Sequence, residues 1–279
     1  MAALTDLSDV INRLSGGNSG TPEIVWIHKL ARVAGAAAAT SIAGRPFTMW
    51  THDGWTPGGV TPTTVVAPSL STQGAIPFTA PGGGRDKHLV QAGVSVSTAC
   101  SLLLYDRLLH IGGLSGTVVS PTTQAVAGTL TRNTGGVGNR VFIEIWTQIG
   151  TTGTTLTMSY TNQAGTDGRT STVNIGATGY REIYRMIPIP LQAGDTGVRS
   201  VENVVLTATT GTAGNFGIVI AKPLAYFSSP NPGGSGWRDY TTGLPSIPVI
   251  DPAACLAIMG TTASTVIPEF WGALSFIEK

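Results

Sequence analysis

The chain has 279 residues, enough for one large β-sandwich or two small domains, and it is 42% hydrophobic with 37 Gly and 17 Pro. Only 11% of residues are charged, against roughly a quarter in an ordinary soluble domain, and the net charge is +1 with a mean hydropathy of +0.20. Basic residues are scattered singly, which argues against nucleic acid as a main partner, and no uncharged apolar run is long enough to span a membrane.

Leu4, Leu7, Ile11 and Leu14 recur at helical spacing, Thr5 can cap the run and Gly16-Gly17 stops it. They predict a short amphipathic helix, marginal on its own, that folds against its own core or docks on another subunit. Residues 1–10 carry Asp6 and Asp9 and lack a basic segment followed by an apolar one, so no signal peptide is expected. Thr21-Pro22-Glu23 looks like a second helix start. The β-branched residues and Trp26 that follow suit an extended arm as well; a short helix over 24–33 is slightly preferred. Residues 45–55 read as a strand ending in an Asp53-Gly54 turn. Residues 57–84 form a long Pro/Gly-rich connector, and contacts with partner subunits are the expected source of its order.

Residues 89–97 and 102–111 continue the strands, although the run from Leu102 to Ile111 also suits a buried helical turn. The clearest pattern follows. Val141, Ile143, Ile145 and Ile149 fall on one side of a period-two alternation, with Glu144 and Gln148 on the other, facing outward. Gly150 to Gly153 reverses the chain, and Leu156, Met158 and Tyr160 answer as the inward residues of a hairpin partner. The same grammar returns at 201–209 and 216–221, with 210–215 as the turn. Pro188 and Pro190 put the segment 183–190 at a sheet edge or a strand end. The expected fold is therefore all-β, an antiparallel, jelly-roll-like β-sandwich over 45–227. An N-terminal helix and arm (1–44) precedes it and an irregular C-terminal extension (228–279) follows.

Nothing in the sequence assembles chemistry. Gly82-Gly83-Gly84 and Gly135-Gly136 lack the Lys and the helix of a phosphate-binding loop, and no nucleophile elbow occurs. His28, His52, His88 and His110 are scattered singly, so no metal or cofactor is called for. Asp106, Arg107 and His110 read as a structural polar cluster, and Glu144, Glu182, Glu202 and Asp195 form no glycosidase pair. The protein is expected not to be an enzyme. Cys100 and Cys255 fit buried thiols made in a reducing compartment. Trp50, Trp55, Trp146 and Trp237 could make a sugar-stacking platform, although Trp50 and Trp146 are more simply core or interface packing.

So little charge gives weak electrostatic protection against association, and much of the surface is expected to be covered by neighbours; the plainer alternative is a domain kept soluble by Thr and Ser hydroxyls. Leu-Gln-Ala-Gly-Asp-Thr-Gly-Val-Arg-Ser-Val from Leu191, Leu-Tyr-Asp-Arg-Leu-Leu-His-Ile-Gly-Gly from Leu104 and Tyr-Thr-Asn-Gln-Ala-Gly from Tyr160 resemble proteins encoded in tailed-phage structural gene clusters. The resemblance covers roughly 45–227 and carries no catalytic residue. It implies a phage virion component, and together with the low charge and the N-terminal arm the expected role is a capsid decoration, cement or minor head protein; the reduced cysteines place its synthesis in the bacterial host cytoplasm. Its implied partners are the major capsid protein, other virion proteins and copies of itself. The interaction residues expected on this reading are Leu4, Leu7, Ile11 and Leu14 of the helix with Trp26 and Trp55 of the arm. The rival is a receptor- or carbohydrate-binding tail or spike protein that uses exposed tryptophan.

Overall fold

The computed structural model describes residues 7–16, 22–30, 40–241 and 246–279. In chain order it holds helix α1 (Leu7–Leu14) and strands β1 (Glu23–Leu30), β2 (Pro46–Thr48), β3 (Lys87–Val96), β4 (Cys100–His110) and β5 (Gln124–Ala125). Then come β6 (Arg140–Thr147), β7 (Thr154–Asn162), β8 (Arg169–Ile175), β9 (Met186–Ile189) and β10 (Val198–Leu206). The last five are β11 (Asn215–Ser229), β12 (Ser235–Asp239), β13 (Val249–Ile250), β14 (Leu256–Thr262) and β15 (Glu269–Glu278). Sheet I runs β1-β15-β3-β12 with β13 added on β3, sheet II runs β2-β14-β4-β11-β6-β9, and sheet III runs β5-β10-β7-β8. Every pairing between these strands is antiparallel. The chain is the antiparallel β-sandwich its alternation predicts.

Sheet II is the shared layer. Its long strands β4 and β11 pair along their length, with register shifts at Ile220/Ala221 and Pro223/Ala225 that bend the ladder. On one face, Leu102, Leu104 and Phe227 pack against Phe270, Leu274 and Phe276 of sheet I. Farther along that face, Val141, Ile143, Ile145, Phe216 and Ile218 meet Leu156, Met158, Tyr160 and Val204 of sheet III. Asp106 lies on β4 between these two cores. Arg132 Nε donates to its Oδ2 at 2.7 Å, and the Cys255 N–H donates to its Oδ1 at 2.8 Å. The opposite face of sheet II carries a third core with Tyr105, Phe142, Trp146 and Met259, roofed by Trp50 and Ala75.

The two expected hairpins are not hairpins. β6 belongs to sheet II and β7 to sheet III, as do β11 and β10 respectively. Both reversals cross the sandwich, so Ile143 and Ile145 look across the core at Leu156 and Met158 instead of lying beside them. The two crossings touch each other: Gly150 N–H donates to Thr210 Oγ1 at 3.0 Å and Thr152 N–H to the Thr210 carbonyl at 3.1 Å. A Cβ on Gly150 would stand 1.7 Å from that carbonyl oxygen, so only glycine fits. A local turn signal sets the reversal. Whether the strands then pair or face each other depends on the layer behind them.

Other expectations change in the same way. The described part of residues 24–33 is strand β1 and not a helix, because Val25 and Ile27 alternate inward and all eight residues pair with β15. The run from Leu102 is strand β4, not a helical turn. Only Pro46–Thr48 of 45–55 is strand, although Gly54 bridges to Lys29. The connector 57–84 is tied to its own chain. It bridges at Val66 to His110 and at Ile76 to Leu256, and it buries Ala75, Ile76 and Phe78. Residues 228–279 are not an irregular tail: β14 lies between β2 and β4, and β15 between β1 and β3. Pro188 sits on β9, an edge strand of sheet II, as expected. Glu144, expected outward, is fully buried because the Trp50 segment covers its face.

Candidate functional site

On sheet I, Val25, Ile27, Val94, Leu274 and Phe276 point into the core. Alternation then puts Trp26, Trp271, Ala273, Gly93, Ser95 and Trp237 on the outer face. The register aligns a row across four strands: Trp26 opposite Ala273, Ala273 opposite Gly93, Gly93 opposite Trp237. With about 4.8 Å per strand, the backbones bearing Trp26 and Trp237 stand roughly 14 Å apart. Between them the strands carry only the Ala273 methyl and Gly93, and a trough of about 290 Å³ opens beside the Trp237 ring, which folds onto the glycine. The Trp237 indole lies over Gly93, where a Cβ would meet the ring at 2.1 Å.

The Trp271 and Trp55 rings are held in place. Trp271 Nε1–H donates to Glu269 Oε1 at 3.2 Å, and the same oxygen lies 3.0 Å from His28 Nε2. The His28 ring stacks on Trp271 at 4.0 Å and 29°, and Trp55 meets Trp271 edge-on at 5.3 Å and 81°. Trp55 is delivered by the turn that Lys29 fastens, its buried Nζ donating to the His52 carbonyl at 3.0 Å. Burial pushes the Lys29 amine down to about 8 against the pull of Asp53. Burial also pushes His52 down to about 3, with Lys29 adding to the effect. Trp26, Trp55, Trp237 and Trp271 remain 64%, 59%, 56% and 45% exposed. This is an apolar trough of aromatic faces with Ser95 and Ser235 in its lining.

Of the residues expected to make contacts, Trp26 and Trp55 meet in this trough, while Trp50 and Trp146 are buried in the third core. Leu4 lies outside the described residues. Leu7, Ile11 and Leu14 are exposed, and α1 is anchored instead by Val10, packed on Val90 and Ile277. Ile277 alternates with Phe276, so α1 shares the outer face of sheet I with the trough, at the far end of β15. Asp9 ties the helix down by accepting from Lys279 Nζ and, at 3.0 Å, from Arg13 Nε; these partners hold its carboxyl below the usual range.

The expected Asp106–Arg107–His110 cluster is split between two faces. Asp106 pairs with Arg132, whereas Arg107 donates to Glu144 and, at 2.8 Å, to His110 Nδ1. Among the described residues no group of three or more His, Cys, Asp or Glu side chains could hold a metal ion. Sequence reasoning missed Trp271 and Gly93. The signal for Trp271 was present: residues 269–276 alternate Phe270, Leu274 and Phe276 against Glu269, Trp271 and Ser275, and a tryptophan on the polar side of such a strand is exposed.

No protein-family model matches the chain, and no curated protein matches it. Among solved structures it is similar to "Structure of infectious bursal disease virus Gx strain" at 8% identity and a TM-score of 0.21, over 92% of this chain and 79% of that one. It is also similar to "Crystal structure of infectious bursal disease virus VP2 subviral particle" at 8% identity and a TM-score of 0.22, over 92% and 80%. Scores this low define no common topology, and nothing about the trough follows from them.

Proposed function

We propose that the protein is a structural component of a tailed-phage virion, a capsid decoration, cement or minor head protein that works by contact and performs no catalysis. The observation that carries this reading is the stripe of Leu7, Ile11 and Leu14, exposed on a helix that sits on its own sheet through Val10, the Asp9–Lys279 ion pair and Arg13, which donates to the Glu278 carbonyl at 2.6 Å. An isolated helix this short is marginal in water, and three large apolar side chains in solvent favour burial against another subunit. The low charge acts in the same direction, since neighbouring copies repel little. The partners on this reading are the capsid lattice and further copies of the chain, and the protein resides in the particle after synthesis in the bacterial cytoplasm.

The test is the double substitution Leu7→Asp and Ile11→Asp. Both side chains are exposed, so the melting temperature should move by less than about 2 °C. Incorporation into particles, and any oligomer seen by light-scattering chromatography, should be lost. Unchanged incorporation would refute the docking helix.

A further inference from the structure

The geometry points to a binding site for a neutral glycan in the trough of Trp26, Trp55, Trp237 and Trp271. This goes beyond membership of a particle and does not depend on it. A pyranose ring offers a face of C–H bonds and an equatorial rim of hydroxyls. It therefore needs flat aromatic faces beneath it and small polar groups at its edge. The trough supplies the indole faces, set around the Ala273 methyl, and Ser95 and Ser235 are the polar residues of its lining. The Trp271 indole is preset by Glu269, His28 and Trp55, and Trp237 rests on Gly93, so little ordering entropy remains to be lost on binding.

The same features argue against other occupants. Among the described residues the lining of the trough holds no lysine or arginine, and the Lys29 ammonium is buried on the His52 carbonyl, which disfavours phosphates and acidic sugars. Glu269 already accepts from Trp271 and lies on His28, so it is not a free counter-charge for a quaternary ammonium group. A protein partner needs about 800 Å² on each side, and a slot of about 290 Å³ floored by glycine and alanine is a small-ligand shape. Trp26 and Trp237 would bound the bound sugar, Trp271 and Trp55 would close one end, and Gly93 is the positioning residue for Trp237.

The test is calorimetric titration of the full chain with three probes, cellohexaose, maltohexaose and chitohexaose, followed by tryptophan fluorescence. At least one probe should bind, and Trp237→Ala or Trp271→Ala should each weaken it about tenfold or more while leaving the melting temperature in place. Gly93→Ala keeps all four indoles but lifts Trp237 from its seat, and it should also weaken binding. Each of three results would overturn the site. One is no heat and no fluorescence change with any probe up to about 10 mM. Another is binding that survives both tryptophan substitutions. The third is binding of choline, or self-association abolished by the same substitutions, in place of sugar binding.

Discussion

Replacing Glu144 by Gln tests whether the far face of sheet II is as dry as its packing implies. Both members of the Arg107–Glu144 pair have fully buried side chains. The guanidinium spends its other donors on His110 Nδ1 at 2.8 Å and the Tyr105 hydroxyl at 3.3 Å, and it lies 4.5 Å from the Trp50 ring and 5.4 Å from that of Trp146. Burial pushes the Glu144 carboxyl up, and Arg107 pulls it back toward ionisation. Glutamine keeps the shape and one acceptor but removes the counter-charge, leaving Arg107 uncompensated among aromatic rings. Breaking a buried pair in this way costs about 3–5 kcal/mol. At about 2–4 °C per kcal/mol for a chain of this size, thermal unfolding followed by near-UV circular dichroism should fall by roughly 10 °C. The double substitution Arg107→Met with Glu144→Leu removes both charges and should recover most of the loss. A drop of less than about 2 °C in the glutamine variant would refute the reasoning, since it would mean that Glu144 is already neutral or that water reaches the pair.

Stability should fall in acid through two buried histidines. Burial pushes His52 to about 3, with Lys29 adding and Asp53 opposing, and pushes His110 to about 2, with Arg107 adding. Above a pH of about 6.5 both are neutral in either state; below it the unfolded chain takes up protons that the native state refuses, so stability is lost at about 1.4 kcal/mol per pH unit for each. Denaturant titrations between pH 4 and 6.5 should show that His52→Gln flattens this slope by about one proton, and an unchanged slope would contradict the assignment. Burial also pushes the Cys100 and Cys255 thiols up to about 12. A disulfide-exchange reagent at pH 8 should therefore find neither thiol in the native protein and both after denaturation; rapid native reaction would show that one of them is reachable.

The sequence by itself determined the inward residues of the strands between Val141 and Ile220. Val141, Ile143 and Ile145, then Leu156, Met158 and Tyr160, then Phe216, Ile218 and Ile220 are all buried in one core. It also placed Pro188 at a sheet edge. These are consequences of local covalent geometry, because side chains alternate across any extended backbone and proline lacks a ladder donor wherever it sits. Only the tertiary structure decided which strands pair and which face each other, so the reversals at 150–153 and 210–214 became crossings between sheets II and III. It alone decided that Glu144 is covered, because burial on a strand's second face depends on a segment some ninety residues away in the chain, around Trp50. The trough was half legible. Trp26, Trp55 and Trp237 stand out by residue type, but the floor of Gly93 and Ala273 and the partnership with Trp271 come from the register of four strands drawn from distant parts of the chain. Register between distant strands is settled by packing of the whole chain, and no local pattern encodes it.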